Sequence, residues 1–334
     1  MGLKLRMFLA IALLFSILYG FGVLVSMLLG VTGKYLLIFS MCFAVFLSVT
    51  QWAISAPLMD AMSRATWISR NTHPRLWDMV HRLAKKAGVK VKKIGIDPSP
   101  IPNAYTYGRW KSDSRIVVTR GLLSTCTEDE VEAVIGHEIG HIVHRDMIVM
   151  TMLGGVVAAL YWMSYSLLWA DIGDSDRDSG SIFLIALLAV IVYFIGQLIL
   201  LLISRIREYH ADEFSAKLTR KPHCLASALA RITYGAGLFK ARDRAVEKFR
   251  SFYIIDPVQA VHEAKYLAET FNKWDLDRDG VLSEYELRKA MEHELKTHGI
   301  IEIFQTHPLT AKRIMHLAKI ARELKIAWTL PRFK

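Results

Sequence analysis

Four apolar stretches constrain this chain more than any other feature, because each is long enough to cross a bilayer as a helix. A span needs about 20 apolar residues to match a hydrocarbon core about 30 Å thick. The four stretches are Met7 to Leu29, Tyr35 to Ala56, Met150 to Trp169 and Ile182 to Ile203. The hydrophobic content of 53% and the mean hydropathy of +0.28 are high for a soluble domain. The sequence therefore predicts an α-helical polytopic membrane protein with four transmembrane helices.

The positive charges near the span ends predict the orientation of these helices. Basic residues flank one side of the four spans, and the other side has two short connections with one basic residue each. The flanking residues are Lys4, Arg6, Arg64, Arg70, Arg145, Arg205 and Arg207. Because cytoplasmic loops carry the excess of Lys and Arg, the N-terminus and the polar segments are predicted to be cytoplasmic in a multi-pass protein of the cell membrane.

The net charge of +11 does not indicate a nucleic-acid partner, because the Lys and Arg residues are spread along the chain and no nucleic-acid motif occurs. The predicted partners are the lipid bilayer and a polypeptide substrate, and the oligomeric state is left open. The three cysteines have no C-x-x-C spacing, so neither a disulfide framework nor a cysteine metal site is predicted.

The motif H-E-x-x-H, formed by His137, Glu138 and His141, indicates a metal site on a helix. At helical spacing i and i+4 the two imidazoles leave the same face, where both can reach one zinc ion. Glu138 then lies beside the metal, placed to take a proton from water. A capping box from Thr127 to Glu130 starts this helix. The alternative interpretation is two core histidines on an ordinary helix.

The buried face of the same helix is predicted to contain Val131, Val134 and Ile135. Before it, an amphipathic helix is expected from Pro74 to Gly88, with a buried face of Leu76, Met79, Val80 and Leu83. Three strands are predicted at Val91 to Ile96, Ile101 to Tyr107 and Arg115 to Thr119. Together these elements predict a mainly α zincin-like domain with a small mixed β-sheet beside the metal helix.

A third protein ligand is needed, and two candidates follow from the residues. Glu208 and Asp212 share a helical face just after the fourth span, so Glu208 can ligate while Asp212 orients a ligand histidine. By spacing alone, a solvated charged face is the favoured interpretation of that segment. His144 also shares a face with the motif, but it lies about 10 Å along the axis from His137, which makes joint coordination awkward.

H-E-I-G-H, followed by an apolar hairpin and then R-x-x-E-Y-x-A-D, resembles the HtpX-type membrane zinc metalloproteases, relatives of the C-a-a-X prenyl-protein endoprotease. The resemblance implies one catalytic zinc per chain, with Glu208 as third ligand and Asp212 as the carboxylate that supports it.

Two further stretches match the same family. The resemblance implies that P-N-A-Y-T-Y-G, through Asn103, Ala104 and Tyr105, is an edge strand that pairs with extended substrate. It also implies that T-H-P-L-T-A-K-R-I supplies a catalytic His307 and Arg313 near the metal. Arg313 has two possible partners, Asp212 and the substrate backbone. Without the family, Asn103 is interpreted as a turn residue and His307 with Pro308 as a helix start.

An insert that usual members of the family do not carry matches an EF-hand loop from Asp275 to Glu286. The predicted calcium ligands are Asp275, Asp277, Asp279, the Val281 carbonyl, Ser283 and the bidentate Glu286. The acidic connection Asp174 to Ile185 imitates such a loop but lacks the bidentate glutamate. The insert therefore predicts one Ca²⁺ site in addition to the zinc site.

The predicted organisation has six parts: a transmembrane hairpin (1–57), a first catalytic part (58–149), a second hairpin (150–204), a second catalytic part (205–257), the EF-hand insert (258–298) and a C-terminal catalytic segment (299–334).

The predicted function is zinc-dependent endopeptidase activity at the cytoplasmic face, in membrane-protein quality control and with possible calcium modulation. The alternatives are processing of lipidated C-termini, a membrane calcium sensor or scaffold with a non-catalytic metal site, and a metal transporter. A transporter would need ionisable residues within the spans, and the four stretches contain none beyond their ends.

Overall fold

The computed structural model describes residues 46, 49, 50, 52–169, 179–238, 285, 289 and 301–328. The first predicted span, most of the second, residues 174–178 of the acidic connection and all six predicted calcium ligands lie outside the described residues. The chain divides into two compact units: one comprises Met1–Leu58 and Ile148–Ile206, and the other comprises Met59–Met147 and Arg207–Lys334.

The described part of the chain is mainly helical with one small sheet, as predicted. The helices are α1 (Pro74–Lys86), α2 (Arg120–Thr125), α3 (Glu128–His144), α4 (Asp146–Trp169), α5 (Ser179–Thr219), α6 (Pro222–Leu238) and α7 (Thr310–Glu323). The strands are β1 (Thr66–Trp67), β2 (Val91–Asp97), β3 (Ala104–Tyr107) and β4 (Ser114–Thr119). Residues 52–62 are also helical.

The first unit contains the apolar lengths of α4 and α5. These helices pack through Leu153 and Val157 on α4 against Ile199 and Ile203 on α5. Within the described residues, the segment Val190–Thr219 is the one helix long and apolar enough to cross a membrane. The prediction of four spans therefore stays a prediction.

The sheet of the second unit has the strand order β1-β2-β4-β3. β2 and β4 are parallel and the other two pairs are antiparallel, so the sheet is mixed, as predicted. β3 lies at one edge, with Ala104 opposite Val118 and Tyr105 opposite Val117. The prediction that this strand begins at Ile101 is wrong. Pro102 has no N–H to donate to a ladder, so regular pairing starts at Ala104.

One face of the sheet packs against helices to form the core of this unit. Ile94, Ile116 and Val118 are at most 1% exposed and belong to the same apolar cluster as residues of α1 and α3. The predicted buried face of α1, Leu76, Met79, Val80 and Leu83, is confirmed. Gly88 has φ of 69°, the left-handed conformation that commonly terminates a helix.

The helix that carries the metal motif, α3, begins with the predicted capping box. The Thr127 side chain accepts a hydrogen bond from the Glu130 amide, and the Glu130 carboxylate accepts one from the Thr127 amide. Such a cap stabilises a helix by about 0.5–2 kcal/mol. Val131, Val134 and Ile135 are buried, as predicted. α3 ends at His144, and the next residue, Arg145, has the left-handed conformation (φ 60°) that commonly follows a helix.

Candidate metal centre

The two imidazoles of α3 and one carboxylate of α5 converge on a point inside the second unit. The Nε2 atoms of His137 and His141 are 3.1 Å apart. Glu208 places one carboxylate oxygen 3.5 Å from the His137 Nε2 and the other 3.5 Å from the His141 Nε2. The structure therefore brings together the three residues predicted as zinc ligands, two from one helix and one from another.

These separations fit a single small cation. Zinc bound at about 2.0–2.1 Å with tetrahedral geometry holds its ligand atoms about 3.4 Å apart, which matches the three measured distances. Ligand atoms of His137, Glu138 and His141 also lie within 4.8 Å of one another. Glu208 fits the position of a third ligand, because it places one carboxylate oxygen 3.5 Å from each of the two Nε2 atoms.

Glycines on α3 allow α5 to approach closely enough for this convergence. A Cβ at Gly140 would lie 3.1 Å from the Ala211 Cα, and one at Gly136 would lie 2.9 Å from the Ser215 Oγ. The Ser215 hydroxyl also donates to the Ala133 carbonyl at 2.6 Å. A larger side chain at Gly140 would push α3 and α5 apart. It would thereby move Glu208 away from the two histidines.

Asp212 orients His137, as the sequence predicted for a supporting carboxylate. Its Oδ1 lies 2.9 Å from the His137 Nδ1, so this edge of the ring donates and the Nε2 faces Glu208. Arg313 donates to both oxygens of Asp212, at 2.6 and 2.9 Å, and lies 3.1 Å from Glu208. Of the two partners predicted for Arg313, Asp212 is therefore the one that it contacts in the structure.

Asp146 does the same for His141, and sequence reasoning missed it. Its Oδ2 lies 2.6 Å from the His141 Nδ1. Arg207 contacts the same oxygen at 3.0 Å and donates to the Asp146 carbonyl at 2.7 Å. The available signal was an acidic residue five positions after His141, at a helix break that turns the chain back onto the motif.

The charge balance of the site favours a divalent cation. Its four carboxylates are at most 5% exposed: Glu138, Asp146, Glu208 and Asp212. Two buried guanidinium groups, those of Arg207 and Arg313, oppose them. In their ionised forms these groups leave a net charge of −2 with neutral imidazoles. Because unpaired buried charge is costly, a divalent ion at the converging ligands would neutralise it.

The two histidines differ in their titration. Burial alone would lower the pKa of His137, but hydrogen bonds to Asp212 and Glu208 raise it to about 9. Burial and the neighbouring charge of His137 lower the pKa of His141 to about 4. The carboxylates around His137 thus favour a positive charge at this point, which a metal ion supplies.

Glu138 lies beside the ligands on the same helix, where it is 2% exposed. Burial raises the pKa of this carboxyl above its ordinary value. A glutamate in such surroundings can accept a proton and later release it, as a general base and acid must do.

His307 reaches the site from the segment before α7. Its Nδ1 lies 3.4 Å from a Glu208 oxygen, and neither ring nitrogen makes a hydrogen bond to the described residues. The interpretation of His307 and Pro308 as a helix start is wrong, because α7 begins at Thr310 with Leu309 as its N-cap. His307 is thus a buried donor and acceptor beside the ligands.

The residues predicted to bind substrate lie around the start of β3. Asn103 directly precedes this strand; its amide donates to the Thr119 hydroxyl, and its carbonyl accepts from the Thr119 amide. Ala104 is buried and Tyr105 is partly exposed.

His144, the other candidate for third ligand, packs against His210 and Phe214, with ring centroids 5.7 and 5.6 Å away.

An H-E-x-x-H helix, a converging glutamate and an adjacent edge strand define a metallopeptidase-type centre on a mainly helical fold. The sequence matches the profile of Peptidase family M48 over residues 70–321. The chain belongs to peptidase family M48.

The relatives agree with this assignment. A "Protease HtpX homolog" of Methanothermobacter thermautotrophicus is 41% identical over 69% of this chain and 85% of its own length. One from Pyrococcus abyssi is 32% identical over 98% of this chain and 99% of its own length. The predicted resemblance to HtpX-type membrane metalloproteases is confirmed.

A solved structure shares the fold. The crystal structure of S. mikatae Ste24p matches with a TM-score of 0.51 and 18% identity, covering 93% of this chain. This chain spans 64% of that solved chain. At this identity the likeness concerns the fold alone.

Proposed function

We propose that this protein is a zinc-dependent endopeptidase that cleaves unfolded or membrane-protein segments at the cytoplasmic face of the cell membrane. The observation that supports it most is the convergence of His137, His141 and Glu208 at the spacing of zinc ligands, with Glu138 beside them. Membership of a peptidase family supports the reaction class.

The residues around the ligands have distinct roles in this proposal. Bound zinc would supply a Lewis acid that lowers the pKa of water and polarises a peptide carbonyl. Glu138 takes the proton of the attacking water and passes it to the leaving amine. His307 donates a hydrogen bond to the oxyanion that develops on the carbonyl. Asp212 and Asp146 hold the two imidazoles in the orientation that ligation requires.

The edge position of β3 supports the choice of substrate. An edge strand offers backbone donors and acceptors to an extended peptide with little demand on its sequence. We assign this role to Asn103, Ala104 and Tyr105. Extended segments are exposed in unfolded proteins, which is consistent with a role in membrane-protein quality control. The basic residues at the span ends support the cytoplasmic side.

Replacing Glu208 with alanine is expected to reduce zinc content, because it removes the charged ligand and leaves two histidines. The loss of affinity should exceed the roughly 10–100-fold expected for a residue that only supports a ligand. Metal analysis of the protein purified in detergent measures it, with His144→Ala as the matched control. If Glu208→Ala keeps its zinc and His144→Ala loses it, Glu208 is not the third ligand.

The substitution Asp146→Asn tests the support of His141. The amide keeps the shape of the side chain but no longer stabilises the imidazole N–H by charge, so zinc affinity should fall by about 10–100-fold. Competition with a chelator measures the affinity. A purely structural role predicts a lower melting temperature with unchanged zinc affinity, which would contradict the assignment.

The EF-hand insert lies between the helix that carries Glu208 and the segment that carries His307. We propose that Ca²⁺ orders this insert and changes the approach of His307, so that calcium tunes turnover. Sensor loops bind at about 10⁻⁷–10⁻⁵ M, and a loop without a partner loop should bind more weakly. Glu286→Gln should abolish the calcium response and leave zinc content unchanged. If calorimetry confirms calcium binding but activity does not change across a calcium titration, the insert has a structural role. If no calcium binds, the assignment of an EF-hand loop is wrong.

A further inference from the structure

A chain of contacts links residues of β1, β2 and β4 and ends in an exposed tryptophan at each end. The first end is Trp67 on β1, which is 36% exposed and has the Lys93 ammonium 4.7 Å from its ring centroid. Lys93 also pairs with Asp60 at 3.1 Å. Asp60 lies near the end of the helical segment 52–62.

The chain of contacts continues through two buried charges to the second indole. Arg115 on β4 bridges Asp60 and Asp113, with a distance of 3.0 Å to each. Asp113 also pairs with Arg109 at 2.8 Å and with Lys92 at 2.8 Å. The Arg109 guanidinium lies 4.9 Å from the ring centroid of Trp110, which is 42% exposed. We call these eight residues the indole–cation band.

The indole–cation band is positively charged. It contains four cations and two carboxylates, a net charge of +2. Burial would raise the pKa of Asp60 and Asp113, but hydrogen bonds from their basic and tyrosine partners hold both below the usual value, so both stay ionised. The surrounding sequence has the same sign: residues 59–126 contain 13 Lys and Arg against 4 Asp and no Glu before the α3 cap, or +9 of the chain's +11.

The sequence position of Asp60, just after the predicted second span, is consistent with a band close to lipid headgroups. The predicted second span ends at Ala56, and Asp60 follows four residues later in a helical segment. At 1.5 Å per residue, Asp60 lies about 6 Å beyond the end of the span along the helix. The headgroup layer on each side of a bilayer is about 5–8 Å thick.

We propose that the indole–cation band docks onto the headgroups of anionic phospholipids in the cytoplasmic leaflet. Tryptophans concentrate at this level of a membrane because their rings are apolar and their N–H groups are polar. Lysine and arginine beside them are attracted to lipid phosphates. This surface goes beyond the peptidase function and requires neither the metal nor a substrate.

Docking would also fix the distance between the edge strand β3 and the membrane surface. The Tyr107 hydroxyl on β3 donates to Asp60 at 2.8 Å, and Tyr107 lies opposite Arg115 on β4. The band therefore connects the end of the helical segment to the strand that we assign to substrate. A docked band holds this strand beside the membrane surface, where a segment of a membrane protein emerges.

Tryptophan fluorescence of the full-length protein in lipid nanodiscs tests the proposal. One set of discs contains phosphatidylcholine alone and another contains about one third phosphatidylglycerol, both brominated near the headgroup so that nearby indoles are quenched. Phosphatidylglycerol should increase quenching. Trp67→Phe and Trp110→Phe should each remove part of this increase. Trp77→Phe is the matched control, since Trp77 packs against the core and stacks on His81, and it should leave the increase unchanged.

The cations are tested in the same discs. Lys92→Gln and Lys93→Gln should each lower the ratio of docked to undocked protein by about fivefold, whereas Lys85→Gln, an exposed lysine outside the band, should change it less. Quenching that does not depend on phosphatidylglycerol, or that Trp67→Phe and Trp110→Phe leave intact, would overturn the proposal. So would inorganic phosphate abolishing the effect at an ionic strength at which chloride does not, because the band would then be a site for soluble phosphate. Since fluorescence is independent of cleavage, failure here leaves the proposed peptidase function untouched.

Discussion

Replacing Glu138 with glutamine is expected to lower peptide cleavage by about 10²–10⁴-fold while the bound metal is retained. The amide has nearly the same shape as the carboxylate, but it cannot take a proton from water. Glu138 is 2% exposed, so bulk water does not readily replace it as a base. Casein cleavage and metal analysis, both in detergent, measure the two quantities on the same preparation.

The metal content of this variant also decides between the two buried glutamates. If Glu138 were a ligand, Glu138→Gln would lose metal together with activity, and Glu208→Ala would retain it. We expect the opposite pattern, because Glu208 is 3.5 Å from both Nε2 atoms. Full activity in Glu138→Gln would remove the general-base mechanism altogether.

The parts of the structure that depend on local sequence signals could be predicted from the sequence. The capping box at Thr127 and Glu130 needs a hydroxyl and a carboxylate three residues apart, and both hydrogen bonds form. The apolar spacing of α1 and the glycine after it likewise reflect interactions within one or two helical turns. The approach of Glu208 to the histidines was expected from the family resemblance, since spacing alone favoured a solvated face.

The supporting contacts could not be predicted because they join distant residues. Arg207 and Asp146 are 61 positions apart, and their pairing depends on how α5 packs against the end of α3. The close approach at Gly140 and Ala211 likewise follows from tertiary packing. The sequence around Gly136 or Gly140 does not indicate such a contact, because a glycine within a helix is equally consistent with a close contact, a bend or neither.

Two elements, β1 and α6, were not predicted. β1 has two residues, too few for an alternating pattern, and it pairs with β2 through Thr66 and Trp67. α6 was not predicted, although its buried residues include Leu225 and Leu229. Its face packs against α3 and α7, so its role is visible only when those helices are in place.

Replacing Arg313 with leucine is expected to destabilise the second unit by about 3–5 kcal/mol, the usual cost of removing one partner of a buried ion pair. Arg313 and Asp212 are both fully buried, and Arg313 also contacts Glu208. Without the guanidinium, two carboxylates stay buried beside His137 with less positive charge to balance them. Denaturant unfolding in detergent measures the change. Arg322→Leu on the same helix is the matched control and should stay within about 0.5 kcal/mol, because Arg322 is exposed.

Two further measurements separate this role of Arg313 from direct contact with the substrate. Arg313→Lys keeps the positive charge but loses the paired donors to Asp212, so it should recover only part of the stability. In the double variant Arg313→Leu with Asp212→Asn, the cost should be smaller than the sum of the two single costs, because one unpaired charge is removed. If Arg313 acted chiefly on the substrate backbone, Arg313→Leu would raise KM with little loss of stability. The 2.6 Å contact between Arg313 and Asp212, buried away from solvent, favours the first outcome.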